Sequence, residues 1–344
     1  MGQVKNKLLA DEEQQAIQDI SLADVGGNQR MTATPIPQAQ SQQFHNIYDP
    51  YSDAAFTPRA VQACMDKTII GQEQAKRAAA LLVFNTYHYG PSNLMMIGET
   101  GCGKTEIWRQ LAGEYPGMIQ IADASNLTAE GWRGGIKISA LLGSFPEQPN
   151  WARRILVLDE FDKVFDQKNS DTDYYDLIQD QLLKIFDHDH IAIPNALDPA
   201  NVSIVCLGAF SRIFDKKRTR QCTLGFNSKA VETPSDEITT EDLIEFGLKP
   251  ELIARFRRIV QMEKPTLQSY QRLARLEIQK LEQQTRKKLI ATPDFIDGLA
   301  LDAMAAHLGG RYIRNAICRL VDDHVYNSPW CDVIDLNAQQ TLCC

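Results

Sequence analysis

Hydrophobic positions along the chain follow two periods. Four short apolar runs, "NLMMIG" (93–98), "MIQIADAS" (118–125), "RRILVLDEFD" (153–162) and "NVSIVCLGAF" (201–210), each end in glycine or polar residues. Runs of this length bounded by turn formers predict buried strands. Between them the period lengthens to that of a helix; Ile178, Leu182, Ile185 and Phe186 line up on one face. Upstream, "TPRAVQACMDKTIIGQEQAKRAAALLVFNTYHY" (57–89) reads as a helix, a break at Gly71 and a longer helix. Strands alternating with helices predict an α/β fold with a doubly wound parallel sheet. After about Thr266 the pattern becomes all-helical, with "SYQRLARLEIQKLEQQTRKKL" (269–289) as one long charged helix. The expected organisation is a polar N-terminal tail over 1–50, a large α/β domain over 51–265, a small helical domain over 266–332 and a C-terminal tail over 333–344. No internal repeat is visible.

The tail is Gln-rich and poor in aromatics, with "PIPQAQSQQ" (35–43), and cannot bury a core. Its first part, "NKLLADEEQQAIQDI" (6–20), has the pattern of a short amphipathic helix. Composition elsewhere is ordinary, 44% apolar and 23% charged, over 344 residues. A net charge of −8 argues against a general polyanion binder, so nucleic acid is not the expected partner. The eight cysteines form no C-x-x-C pair, which speaks against a zinc module and for a reducing compartment. No apolar run reaches membrane length and no signal segment opens the chain, so a cytoplasmic protein without a membrane partner is expected. The pair His188 and His190 in "FDHDHI" has strand or turn spacing and no neighbouring cluster, and is read as a polar loop. The terminal Cys343-Cys344 is not a prenylation box.

Chemistry enters at "GETGCGKT", Gly98-Glu99-Thr100-Gly101-Cys102-Gly103-Lys104-Thr105. It follows a strand and opens the helical "TEIWRQLAGEY", starting Thr105-Glu106. In that context glycines let backbone N–H groups face phosphates, and the helix dipole favours the anion. Lys104 is expected at the β- and γ-phosphates and Thr105 on Mg²⁺. A nucleotide loop of this kind needs an acid on a neighbouring strand. "ILVLDE" supplies Asp159 for Mg²⁺ and Glu160 to polarise the attacking water. The pair of motifs predicts ATP hydrolysis.

With these residues in view, the chain from about 55 to 330 resembles the Clp/Hsp100 branch of the AAA+ ATPases, most closely its ClpX- and HslU-type unfoldases. "IIGQEQAKRAAALLVFN" (69–85), "NLMMIGETGCGKTEI", "LDEFDK" and "GAF" are similar to family motifs in order and spacing. "EDLIEFGLKPELIARF" (241–256) resembles the second region of homology, and "GGRYIRNAICRLVDD" (309–323) the sensor-2 helix. The resemblance implies an AAA+ fold, a homo-oligomeric ring, usually a hexamer, and ATP-dependent unfolding of polypeptide substrates. It implies that Ile70 and Gly71 lie at the adenine, that Arg255 is the arginine finger to the neighbouring subunit, and that Arg311 is sensor 2, with Arg314 as the rival. It implies a pore loop at Gly131-Trp132-Arg133-Gly134, where an aromatic between glycines suits a mobile, unspecific grip. It implies docking to a ClpP-like peptidase through Leu224-Gly225-Phe226. Departures are Glu99 in place of a common proline, Arg133 in place of an aliphatic residue, an absent zinc-binding module, and Leu207, which leaves the sensor-1 role unassigned. Two alternatives stay open: a remodeller of one protein complex that works without a peptidase, and a nucleic-acid-associated motor, which Arg133 and "DKKRTR" (215–220) would serve.

Overall fold

The predicted alternation of strands and helices closes into one parallel sheet. The computed structural model describes residues 56–129, 135–145, 153–165, 172–187, 198–223, 237–306 and 309–339. In chain order the elements are α1 (Pro58–Asp66), α2 (Glu73–His88), β1 (Leu94–Ile97), α3 (Lys104–Glu114), β2 (Ile119–Asp123), α4 (Ile138–Gly143), β3 (Arg154–Asp159), α5 (Thr172–Phe186), β4 (Val202–Gly208), α6 (Ser211–Thr223), α7 (Thr240–Phe246), α8 (Pro250–Ala254) and β5 (Arg258–Gln261). The helical part follows with α9 (Leu267–Thr285), β6 (Lys288–Ile290), α10 (Pro293–Ala306), α11 (Gly310–Asn327) and β7 (Val333–Asp335).

The sheet order is β2-β3-β4-β1-β5, all parallel. Side chains alternate faces along each strand. Met95, Ile97, Leu156, Leu158, Ile204 and Cys206 enter one core with α5. Leu94, Met96, Ile155, Val157, Val205 and Leu207 enter a second with α2 and α3. Helices cover both faces, which is why β1 and the middles of β3 (155–158) and β4 (204–207) are apolar at consecutive positions rather than at every other one. Ile178, Leu182, Ile185 and Phe186 are buried, as their spacing predicts. The register pairs Asp123 with Asp159 and Ile97 with Gly208, so the carboxyl ends of β1 to β4 lie along one rim. Ligand crevices of open parallel sheets form there.

β5 is a fifth strand that the apolar pattern does not predict. It is an edge strand with exposed Arg258 and Ile259, so it presents no buried run. Residues 267–336 carry their own core, in which Ala274, Ile313 and Ile317 are fully buried. Besides its helices this part has a parallel pair, β6 with β7. Ile334 and Leu336, in the stretch expected to be a tail, are each 1% exposed in that core. Three-residue strands are too short to leave a period in the sequence.

Candidate nucleotide site

The loop between β1 and α3 brings Gly98 to Thr105 to the rim. Gly101 and Gly103 have φ of 83° and 99°, which residues with a Cβ rarely adopt. Between them the Cys102 N–H donates to the Glu99 carbonyl at 3.4 Å. Lys104 begins α3 and is 8% exposed; its Nζ donates to the carbonyls of Gly98 at 2.5 Å and Glu99 at 3.1 Å. Thr105 Oγ1 donates to Asp159 Oδ2 at 2.8 Å, joining the loop to the tip of β3. Glu160 follows with φ of 55°, a left-handed conformation for a non-glycine residue. Such strain costs about 1–3 kcal/mol and recurs at functional sites.

These residues share a cavity of about 750 Å³, within the range of small-molecule sites. Ile70 and Gly71 form one wall, and Thr100 to Glu106, Asp159 and Glu160 form the floor. Arg311 and Arg314, both from the first two turns of α11, come from the helical part. Gly98 and Glu99 precede the lining residues in the loop, and their carbonyls carry Lys104. Gln72 sets the wall. Its φ is 59°, and its side-chain amide donates to Glu263 O at 2.8 Å and accepts from Glu263 N at 2.9 Å. The start of α2 is thereby tied to the segment after β5.

The helical part touches the phosphate loop directly. At Gly309, the N-cap of α11, a Cβ would lie 2.3 Å from the carbonyl oxygen of Gly101, so only glycine permits this approach. Tyr270 of α9 is buried against the loop; burial first, then the charges of Glu99 and Cys102, push its hydroxyl above its ordinary value. Burial likewise pushes the Cys102 thiol up, partly offset by the Lys104 ammonium.

Arg255 does not line the cavity. It caps α8, where its Nε and Nη2 bind Asp187 Oδ1 and Oδ2 at 2.8 and 2.9 Å. Asp187, and the charge of Glu251, hold the guanidinium above its ordinary value. Helix α8 is itself tethered to α5. Gln179, 2% exposed, donates to Gly247 O at 3.1 Å and accepts from Lys249 N at 2.7 Å. Lys249 Nζ binds Asp180 at 2.7 Å. The pore segment Gly131 to Gly134, the segment Leu224 to Phe226 and the pair His188 and His190 lie outside the described residues.

Three polar residues with structural weight escape the sequence reading. Gln72 sits in the quoted "IIGQ" and Asp162 in "LDEFDK", where both pass as parts of a motif. Gln179 is legible in hindsight as a polar residue next to Ile178 on the apolar face of a helix.

Residues 91–259 match the family model of the AAA domain (Cdc48 subfamily). That match, with the five-stranded parallel sheet and the helical part that follows it, makes the chain an AAA+ ATPase, an enzyme that hydrolyses ATP. Within that class it is ClpX-like. It is 26% identical over 349 residues to the ATP-dependent Clp protease ATP-binding subunit ClpX of Borrelia duttonii, covering 83% of this chain and 80% of the relative. The protein of that name from Treponema denticola is 27% identical over 326 residues, covering 81% and 79%. The chain is thus a Clp-type AAA+ ATPase. Among the described residues no helix is long and apolar enough to cross a membrane.

Proposed function

We propose that this ATPase is a ring-forming protein unfoldase, and that Lys104, Thr105, Asp159, Glu160 and Arg311 form its hydrolytic site with Arg255 of the neighbouring subunit. One observation carries the site: loop, paired acids and α11 converge on a single cavity. Lys104 binds the β- and γ-phosphates, exchanging the Gly98 and Glu99 carbonyls for phosphate oxygens. Thr105 and Asp159, a hydroxyl and a carboxylate in hydrogen-bond contact, are hard oxygen donors of the kind Mg²⁺ takes; the ion neutralises phosphate charge when bound. Glu160 accepts the proton of the attacking water. Ile70 and Gly71 pack on the base. Arg311 touches the same nucleotide from the helical part, and Arg255 leaves Asp187 to reach across to a neighbour in a homo-hexamer.

The ClpX likeness over four fifths of the chain supports a polypeptide substrate. Gly131-Trp132-Arg133-Gly134 is the pore loop, and Leu224-Gly225-Phe226 docks a ClpP-like peptidase. Expression of the full chain as Glu160→Gln, held in ATP, tests this. The variant is expected to bind nucleotide, stall and retain unfolded polypeptide clients, with a peptidase ring that is lost when 224–226 are deleted. Trp132→Ala is expected to keep ATPase activity and lose protein processing. Survival of both activities in Trp132→Ala sinks the pore assignment, and a trap holding nucleic acid without a protein client sinks the unfoldase.

A further inference from the structure

At the end of β4, Leu207 is apolar and fully buried and offers no polar side chain to the cavity it lines. The backbone that follows is held from two sides. On one side the N–H of Gly98, the first residue of the phosphate loop, donates to Gly208 O at 3.2 Å. On the other, the next two N–H groups donate to one carboxylate: Ala209 N to Asp162 Oδ1 and Phe210 N to Asp162 Oδ2, each 3.1 Å. Asp162 is 3% exposed. It lies two residues after Glu160, in a turn closed by Lys163 N donating to Glu160 O at 3.0 Å. Both ends of this clamp are strained, with φ of 55° at Glu160 and 49° at Phe210. Strain of that kind persists only where surrounding contacts over-determine the backbone. Gly98 is the junction, because its carbonyl carries Lys104 while its N–H binds Gly208.

We propose that Asp162 is a positioning residue for hydrolysis, which ties the orientation of Glu160 to the state of the phosphate loop through the path Lys104, Gly98, Gly208, Ala209 and Phe210. When a γ-phosphate draws Lys104 off the Gly98 carbonyl, the Gly98 peptide and its bond to Gly208 readjust. The clamp on Asp162 passes that change to the Glu160 turn. The inference rests on the reading of Glu160 as the base.

Asp162→Asn in the full chain tests it. The amide keeps the shape but sets an NH₂ group against one of the two backbone donors. Turnover is expected to fall about 10²-fold, the scale of a misplaced general base, while KM for ATP stays within about threefold and affinity for ADP within about twofold. A merely structural role would lower ADP affinity in step with turnover, and that outcome overturns the inference. Glu160→Gln, assayed alongside, separates the two readings. If it turns over like wild type, the base assignment fails and the inference with it. If it is inactive while Asp162→Asn turns over like wild type, the inference alone fails. Should Asp162→Asn not fold, amide exchange in the wild-type chain decides. Ala209 and Phe210 are expected to exchange more slowly with a non-hydrolysable triphosphate than with ADP, and equal rates overturn the proposal.

Discussion

Cys102 shows how a single residue's surroundings decide its chemistry. It sits in the phosphate loop with its Sγ 3.7 Å from Lys104 Nζ, a neighbour that on its own would favour the thiolate. Burial outweighs that neighbour and raises the thiol above its ordinary 9.0. The thiol form therefore predominates at neutral pH. Alkylation of Cys102 by iodoacetamide is expected to be slow there and still climbing with pH past 9.0. Bound ATP should slow it further by filling the cavity that Cys102 lines. Peptide mapping over a pH series measures this, and a rate that levels off below 9.0 contradicts it. Cys102→Ser, which removes the thiol but keeps the size, is expected to leave ATPase turnover within about twofold, since the contacts proposed for the loop run through its backbone N–H groups.

At the scale of elements, function depends on how helices are tethered. Helix α8 has only five residues and cannot hold its own position. It is held by Gln179 and Asp180 of α5 and by Asp187, the residue just past the end of α5. Gln179→Leu leaves the Gly247 carbonyl and Lys249 N–H without their partner. At about 1–3 kcal/mol for each buried group left unpaired, thermal unfolding should shift down by several degrees. Turnover per folded molecule should fall as Arg255 loses its placement. Helix α7 gives a pH test. Burial alone would raise Asp242, but Lys217 and the Thr239 N–H more than offset this and hold its carboxyl below the ordinary value. A depressed carboxylate contributes stability above its unfolded pKa and loses it as pH falls through the folded one. Asp242→Asn is therefore expected to cost about 1 kcal/mol at neutral pH and to match wild type in acid below both values. Helix α11 gives a third test through neighbouring glycines. A Cβ at 309 meets the Gly101 carbonyl, whereas one at 310 meets only the end of the Leu273 side chain at 2.8 Å, which can move. Gly309→Ala should weaken ATP binding about tenfold or more and Gly310→Ala should not, as titration calorimetry would show.

These elements also mark how far the sequence can be read. Strands β1 to β4 and the glycine turn between β1 and α3 were legible because each has a local cause: a short apolar run, fully buried in β1, β3 and β4, or glycines at positions of positive φ. Strand β5 was not, because it is an edge strand with exposed Arg258 and Ile259, and its partner β1 stands 164 residues away in sequence by register, Ile97 against Gln261. The contact of Gly309 with Gly101 was illegible for the same reason. Nothing near either residue states that their backbones meet, although both glycines stood in quoted motifs. The clamp on Asp162 joins groups 47 and 48 residues apart, so its acid read only as part of "LDEFDK".

At the scale of the whole molecule, the question is where the cation that completes the site comes from. Within one chain Arg255 is engaged by Asp187 and lies off the cavity, while Arg311 and Arg314 line it. The proposed ring resolves this by placing the Arg255 of one subunit at the nucleotide of the next. Subunit mixing tests that arrangement. Lys104→Ala removes a subunit's own nucleotide site but leaves its Arg255 intact. Arg255→Ala leaves the site but withdraws the finger offered to the neighbour. Each variant alone should be inactive, with a loss of about 10³-fold or more for the finger. Mixed in equal amounts and allowed to exchange, they should regain activity, because about a quarter of random adjacent pairs set an intact site beside an intact finger. A finger that acted within its own chain would give no recovery at any mixing ratio, since every active site would then need both residues in one subunit. Asp187→Asn sharpens the test. By releasing Arg255 from its resting partner without touching the cavity, it should lower the protein concentration at which turnover per subunit reaches its plateau.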